Sequence, residues 1–458
     1  MAKKTPDRAP RRAVVFLLKI LLFVVLFVLF FGIFSIENDQ LLAKNRTAAI
    51  TMTTFVVLGI AMTAVYGGFA VGKKKSKEII PSLCIAVFIT DFITYFQLAL
   101  MNTNRWNQYQ FRLPNLLLLA LVFFLQSLVV AAFVYLGNHL YFQMYPPEDC
   151  VIICSDRERA GELVRRVSRY QKQYRITGVI DYRDEDLKKQ IRHSDLVFLY
   201  ELPANVKAEI IDYAYKHSTN IFFQTELSDI VVNYAKYTVL DDLSMLGSTT
   251  KELSVEQRFL KRMIDLLVSG LCLVLLSPVM LAEALAIKLG DGGPVFYRQE
   301  RMTIGGKKFN VLKFRTMVVN AEKQGAQLAT RNDSRITPVG RFLRATRMDE
   351  LPQFLNVLKG DMSIVGPRPE RESIAEEYYK EVPEFAYRLR AKAGLTGLAQ
   401  IAGKYNTSPK DKLMLDLMYI ERYSVWMDIL LIFQTLTVFF KRDSTEGIEE
   451  GAKTADKG

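Results

Sequence analysis

The sequence predicts a membrane α-helical region with four transmembrane helices, then a soluble Rossmann-like α/β domain, then an α-rich monotopic domain with a re-entrant membrane helix. Three observations carry this. Four long apolar runs fill the first third of the chain. Strand-like and helix-like stretches alternate between Cys150 and Val232. A fifth apolar run, Phe259 to Leu289, is broken by Ser277-Pro278 and followed by basic chain.

The first run, Ala13 to Phe34, is interrupted only by Lys19 and Gly32. At ~1.5 Å per residue it reaches about 33 Å, enough to cross a bilayer. No small-residue cleavage site follows it cleanly, so it reads as a retained anchor. Ala48 to Val71, Ile79 to Leu100 and Leu113 to Gly137 complete a region assigned to residues 1–145. Lys3, Lys4, Arg8, Arg11 and Arg12 precede the first run, and Lys73, Lys74, Lys75 and Lys77 fill the loop after the second. The opposite loops carry only Lys44 and Arg46, and Arg105 and Arg112. Lys and Arg concentrate on the cytoplasmic side, so four crossings return the chain to the cytoplasm at Tyr145. Asp91 lies inside the third run; it is either functional or paired with a polar group on a neighbouring helix.

Residues 146–240 read as a small parallel α/β domain. "CVIIC", "RITGVI", "DLVFLY" and "NIFFQ" are its strands, with helices over Arg157 to Gln171 and Ala204 to His217. The first turn, "CSDRERAG", lacks the glycine pattern that seats a dinucleotide. Asp184 to Asp186 matches D-x-D but reads better as a favourable helix N-terminus. A regulatory or oligomerising role suits this domain, and a homodimer is compatible with it. Cys84, Cys150, Cys154 and Cys272 read as buried reduced thiols, since no second pair or His completes a metal site.

Residues 241–258 read as a polar linker, 259–442 as the third domain and 443–458 as a polar tail. Each half of the Phe259–Leu289 run is too short to span. Arg298, Arg301, Lys307, Lys308, Lys313 and Arg315 follow it and favour the cytoplasm. The charge pattern favours a helix that enters the inner leaflet, turns at Ser277-Pro278 and leaves on the same side, with Ser277 covering backbone that proline leaves unbonded; a fifth ordinary span is the alternative. Trp426 to Phe440 is too short to cross and reads as an interfacial helix or a core helix.

The stretch "RATRMDELPQFLNVLKGDMSIVGPRPE" sets Asp349 and Glu350 before a short helix that Pro352 opens and Gly360 ends. An isolated pair there would only cap the helix. The arginines around it point further. A carboxylate attacks phosphorus only when the phosphate charge is offset by arginine forks or Mg²⁺. Arg344 and Arg368 would clamp the phosphoryl oxygens, and Pro367 and Pro369 would stiffen the loop. The net charge of +12 suits anionic lipid or phosphorylated ligands. A nucleic-acid interface, with aromatics interleaved along a basic groove, is not evident. His139, His193 and His217 all lie outside the third domain, which argues against His-dependent chemistry there.

With "KRMIDLLVSGLCLVLLSPVM", "GPVFYRQERMTIGGKKFNVLKFRTM", "DSRITPVGRFLRATRMDELPQFLNVLKGDMSIVGPRPE" and "AGLTGLAQIAGK", the chain from Phe259 to Arg442 resembles the bacterial sugar transferases of the monotopic phosphoglycosyl transferase superfamily. The whole chain resembles their large polytopic subgroup. The resemblance implies an enzyme that moves a hexose-1-phosphate, of glucose or galactose, from a UDP-sugar to undecaprenyl phosphate and releases UMP. This would be the first step of exopolysaccharide, capsule or O-antigen synthesis, on the cytoplasmic face of the bacterial inner membrane. By the same resemblance Asp349 is the nucleophile and forms a phosphosugar–aspartate intermediate. Glu350 binds Mg²⁺, Arg344 and Arg368 lie near the phosphates, and Ser277 and Pro278 form the helix break. Arg298, Arg301, Lys313, Arg315 and Gln400 would meet uridine, phosphate or lipid headgroups. Many members have Ser-Leu where this chain has Arg347-Met348. The competing readings are a glycosyltransferase that releases UDP and a non-catalytic assembly scaffold.

Overall fold

The structure, a computed structural model, describes residues 9–36, 38, 41–106, 115–248, 253–319, 321, 333–403 and 407–438. The basic residues before Ala9, Arg112, Lys404 and the tail 443–458 lie outside the described residues. The chain divides into two compact units, Met1–Gln224 and Thr225–Gly458.

The first unit opens with α1 (Ala9–Phe34), α2 (Arg46–Val65), α3 (Ser76–Trp106) and α4 (Leu116–Met144). All four are long and apolar enough to cross a membrane. The second run stops at Val65 and not at the expected Val71. Gly67 and Gly68 take positive φ (87° and 66°), which breaks the helix. The fourth run continues past Gly137, because Asn138 and the residues after it keep the helical pattern. Asn138 Oδ1 also accepts from Gly72 N at 2.9 Å, tying α4 to the α2–α3 loop. Phe27, Phe30 and Phe31 of α1 pack around Phe55 of α2. Asp91 is buried in α3 with Gln126 of α4 as its polar neighbour.

The same unit ends in a fully parallel sheet of order β2-β1-β3-β4: β1 (Glu148–Cys154), β2 (Tyr174–Asp181), β3 (Leu196–Tyr200) and β4 (Asn220–Phe223). Between them run α5 (Ala160–Val167), α6 (Leu187–His193) and α7 (Ala204–Lys216). The central β1 is buried along "CVIIC" because it has a strand on each side and helices on its faces. Asp184 Oδ1 accepts from Asp186 N at 3.1 Å just before α6, the helix-opening role expected for this acidic run.

The second unit begins with α8 (Leu227–Asn233) and an antiparallel hairpin, β5 (Lys236–Leu240) and β6 (Leu243–Gly247). The stretch read as a linker thus holds a strand and the start of a helix. Leu240 pairs with Leu243 across a two-residue turn, and Asp241 takes the positive φ (61°) such a turn demands. Next come α9 (Val255–Asp291), the antiparallel pair β7 (Phe296–Met302) and β8 (Lys308–Phe314), α10 (Pro338–Thr346), α11 (Gln353–Lys359) and β9 (Ser363–Val365). The unit closes with α12 (Glu372–Glu381), β10 (Gly394–Thr396), α13 (Leu398–Ala402), α14 (Pro409–Glu421) and α15 (Val425–Val438). Val311, Val357, Met362, Phe385, Leu413 and Leu431 are among its core residues.

α9 is the fifth helix long and apolar enough to cross a membrane. It is continuous through Pro278, whose missing N–H orphans the Val274 carbonyl. Ser277 Oγ donates to that carbonyl at 2.8 Å and takes its place. Both ends of α9 are fastened within this unit. Near the start, Lys261 pairs with Asp428 at 2.8 Å and Asp265 accepts from Ser363 Oγ and Ile364 N at 2.9 and 2.8 Å. Near the end, Ile287 packs with Phe314 and Leu343, and Asp291 pairs with Arg315. The middle exposes Leu267, Leu271, Val274 and Leu275. α15 buries Asp428, Leu431 and Val438 in the core and leaves Trp426 and Leu436 exposed.

Candidate active site

The acidic pair sits in a 3₁₀ turn, Met348–Glu350, between α10 and α11. Arg347 ends α10 in the left-handed region (φ 56°) and so swings the chain into this turn. Pro352 precedes α11 and Gly360 (φ 94°) terminates it. α10 lies close on the strand side of the site. A Cβ on Gly340 would fall 2.0 Å from the Thr316 carbonyl oxygen, so only glycine permits this approach. That contact lets Arg344 Nε donate to Thr316 Oγ1 at 2.9 Å.

A second loop, Gly366 to Glu370, brings Arg368 to the pair. It is held by backbone pairing: Gly366 N donates to Thr396 O and Gly394 N to Pro367 O, both at 2.9 Å. A Cβ on Gly394 would sit 2.1 Å from Gly366 N. Arg388 donates to the Arg368 carbonyl at 2.8 Å and to Asp416 Oδ2 at 2.9 Å. Glu370 is ringed by Lys412, Arg388 and Arg301. Burial alone would raise its carboxyl, but these cations hold it at about 2. The loop is therefore a braced element, and the prolines account for only part of its rigidity.

The two acids have different surroundings. Glu350 Oε1 accepts from Arg368 at 2.7 Å and from Lys313 at 2.8 Å. Burial opposes its charge, yet Arg368 and Lys313 hold its carboxyl well below the usual range. Among the described residues Asp349 takes no side-chain hydrogen bond or ion pair. Burial pushes its carboxyl up to about 6; Lys313 pulls it down, Glu350 pushes it up, and Arg344 and Arg368 pull it down. Above that pH, Asp349 is a carboxylate with its lone pairs uncommitted, next to fixed positive charge.

The expected residues separate into groups. Asp349, Glu350, Lys313 and Arg368 converge, with Arg344 near enough to act on Asp349. Arg301 lies behind the loop, bonded to Pro369 O at 3.2 Å and Gln299 Oε1 at 2.5 Å; burial lowers its guanidinium to about 10. Arg315 is spent on Asp291, Pro294 O and Met317 O. Gln400 Nε2 donates to Leu395 O at 2.9 Å. Glu370, Arg388 and Glu283 had not been singled out. Glu283 is only 6% exposed on α9, and neither of its oxygens has a hydrogen-bond partner. Its one sequence signal is an acid within the apolar stretch of α9 between Asp265 and Asp291.

Among the described residues, no cluster of three or more His, Cys, Asp or Glu forms a ready-made metal site. Mg²⁺ does not need one, since it is often held by one or two carboxylates plus water and substrate phosphate. The uncommitted carboxylate of Asp349 and the orphaned oxygens of Glu283 fit such a cation.

Residues 256–442 match the model of the family described as bacterial sugar transferase. A UDP-N-acetylgalactosamine-undecaprenyl-phosphate N-acetylgalactosaminephosphotransferase of Aeromonas hydrophila is 43% identical over 181 residues, 39% of this chain and 43% of that protein. A UDP-glucose:undecaprenyl-phosphate glucose-1-phosphate transferase of Klebsiella pneumoniae is 46% identical over 184 residues, 39% of each chain. One of the same name from Caulobacter vibrioides is 40% identical over 203 residues, 43% of this chain and 75% of that protein. The chain thus spans about two fifths of the first two relatives and three quarters of the third. The match falls on the unit that contains the acidic pair, and the chain belongs to the bacterial sugar transferase family.

Proposed function

We propose that this membrane protein transfers a hexose-1-phosphate from a UDP-sugar to undecaprenyl phosphate and releases UMP. The observation that carries the reading is the unequal environment of the acids, with Asp349 uncommitted and Glu350 clamped by Lys313 and Arg368. An Asp349 oxygen attacks the β-phosphorus of the donor. The bond from that phosphorus to the bridging oxygen breaks, and UMP leaves. The sugar phosphate is then an acyl phosphate on Asp349; an oxygen of undecaprenyl phosphate attacks its phosphorus, the bond to the Asp349 oxygen breaks, and the free carboxylate is restored. Two displacements let a water-soluble donor and a lipid-bound acceptor use one site in turn. Arg368 and Lys313 offset phosphoryl charge, and Glu350 keeps both cations in position. Mg²⁺ is the proposed cofactor; when bound it would neutralise charge on the diphosphate. Glu350 is the proposed ligand, with Asp349 the other carboxylate of the pair suited to it.

Four spans in the first unit, a Rossmann-like middle domain and a re-entrant α9 complete the proposal. Support for re-entrance comes from the fastening of both ends of α9. Lys261 and Ile287 would lie about 39 Å apart along a straight helix, more than a bilayer core. A crossing helix would put its two ends in different compartments, yet both bind elements of one folded unit. The catalytic unit then lies on the cytoplasmic face of the bacterial inner membrane, where the acceptor phosphate resides. Initiation of exopolysaccharide, capsule or O-antigen synthesis is the proposed role, and homodimerisation is proposed for the whole chain. The test is the nucleotide released by full-length protein in nanodiscs with Mg²⁺, undecaprenyl phosphate and UDP-glucose or UDP-galactose. UMP from wild type and none from Asp349→Asn is expected. UDP as the product would overturn the phosphosugar reading.

A further inference from the structure

Glu283 is the one buried acid near the site that the reading above leaves without a task. It lies on the face of α9 that carries Met280, Ala284 and Ile287, the residues that pack on Leu343 and on Met348 beside Asp349. It is 6% exposed, and both its oxygens lack hydrogen-bond partners. Asp349 is the charged group that acts on it. Among the described residues no Lys or Arg forms an ion pair or hydrogen bond with it. By contrast Glu350 has Lys313 and Arg368, Glu370 has Lys412, and Asp291 has Arg315.

A buried carboxylate without hydrogen bonds is costly, and a second carboxylate in the neighbourhood adds repulsion. A divalent cation between them removes both penalties. We propose that Glu283, together with Asp349, ligates the divalent cation of the donor-loaded site. Two carboxylates and the donor's phosphate oxygens form a coordination set Mg²⁺ commonly accepts. Glu350 is then chiefly the organiser of Lys313 and Arg368, and less a ligand. This rests on the phosphosugar-transfer reading, since that reading supplies the diphosphate.

The test uses full-length protein in nanodiscs, Mn²⁺ as the probe and UDP as the diphosphate, read by electron paramagnetic resonance of free Mn²⁺. Glu283→Gln keeps size and polarity while removing the charge. It should weaken Mn²⁺ binding at least tenfold, and Glu283→Asp should recover part of it. A second readout is thermal unfolding. Mg²⁺ with UDP should raise the Tm of wild type and leave that of Glu283→Gln nearly unmoved, while Glu283→Gln without cation should be at least as stable as wild type. Equal Mn²⁺ affinity in wild type and Glu283→Gln would overturn the proposal, as would a Glu283→Gln protein that keeps the full Mg²⁺-dependent Tm rise. Either result could coexist with UMP release by wild type, so the proposal can fail while the transfer reading stands.

Discussion

Asp349→Asn should make the protein inactive and, above neutral pH, more stable. Burial lifts the Asp349 carboxyl from 3.8 to about 6 in the folded chain, against the net pull of the cations around it. The folded state therefore holds this proton more tightly than the unfolded chain does. The stability it contributes is present in full below about pH 4 and is lost as pH rises through about 6. A shift of roughly two units corresponds to ~3 kcal/mol, and partial solvent screening at the site reduces this to about 1–2 kcal/mol. Asparagine pays no such penalty. Thermal unfolding of both full-length proteins in nanodiscs, from pH 4 to 8 without divalent cation, reads the difference. The two Tm values should coincide near pH 4 and diverge above pH 6, with the variant higher. A variant equal to or below wild type at pH 8 would refute the reasoning, because it would mean that Lys313 and the arginines stabilise the carboxylate by more than burial costs it. The same titration predicts that kcat/KM falls as pH drops through about 6, where the nucleophile becomes protonated.

Arg368→Ala leaves Glu350 with Lys313 alone and removes a phosphate partner; a loss in kcat of roughly a hundredfold or more is expected from the removal of one charge-stabilising donor, read as UMP release. Arg388→Met strands Asp416, which is 1% exposed, and frees the Arg368 carbonyl, so unfolding should become easier by about 3–5 kcal/mol. Gly394→Ala forces a Cβ against the Gly366 backbone, and should lower both Tm and kcat by misplacing Arg368. Ser277→Ala removes the bond that replaces the one Pro278 deletes within α9 and should cost about 1 kcal/mol.

The sequence carried the apolar runs, the strand–helix alternation and the acidic pair because each is a local pattern. Even the substitution of Ser277 for the hydrogen bond that Pro278 removes was readable, since both residues are neighbours in the chain. What could not be read depends on contacts far apart in sequence. Arg315 and Arg301 look like Arg368 as letters; only the fold assigns Arg315 to Asp291 and Arg301 to the Pro369 carbonyl. Glycines at 340, 366 and 394 give no local turn signal, because their need arises from the backbone of a segment distant in sequence. The hairpin of β5 and β6 hid in a polar stretch whose turn residues, Asp241 and Asp242, read equally as linker. Glu283 carries the same local signal as Asp91, an acid within an apolar run, but its burial beside the acidic pair comes only from the fold.

The central claim is that the sugar phosphate passes through Asp349. Its most direct test is to incubate full-length protein with UDP-sugar in the absence of undecaprenyl phosphate and then measure the mass of the peptide that contains Asp349. One added hexose phosphate on that peptide, with matching UMP and neither in Asp349→Asn, is the predicted result. UMP released only when undecaprenyl phosphate is present, with the peptide unmodified, would contradict the covalent route and point to direct transfer between the two substrates.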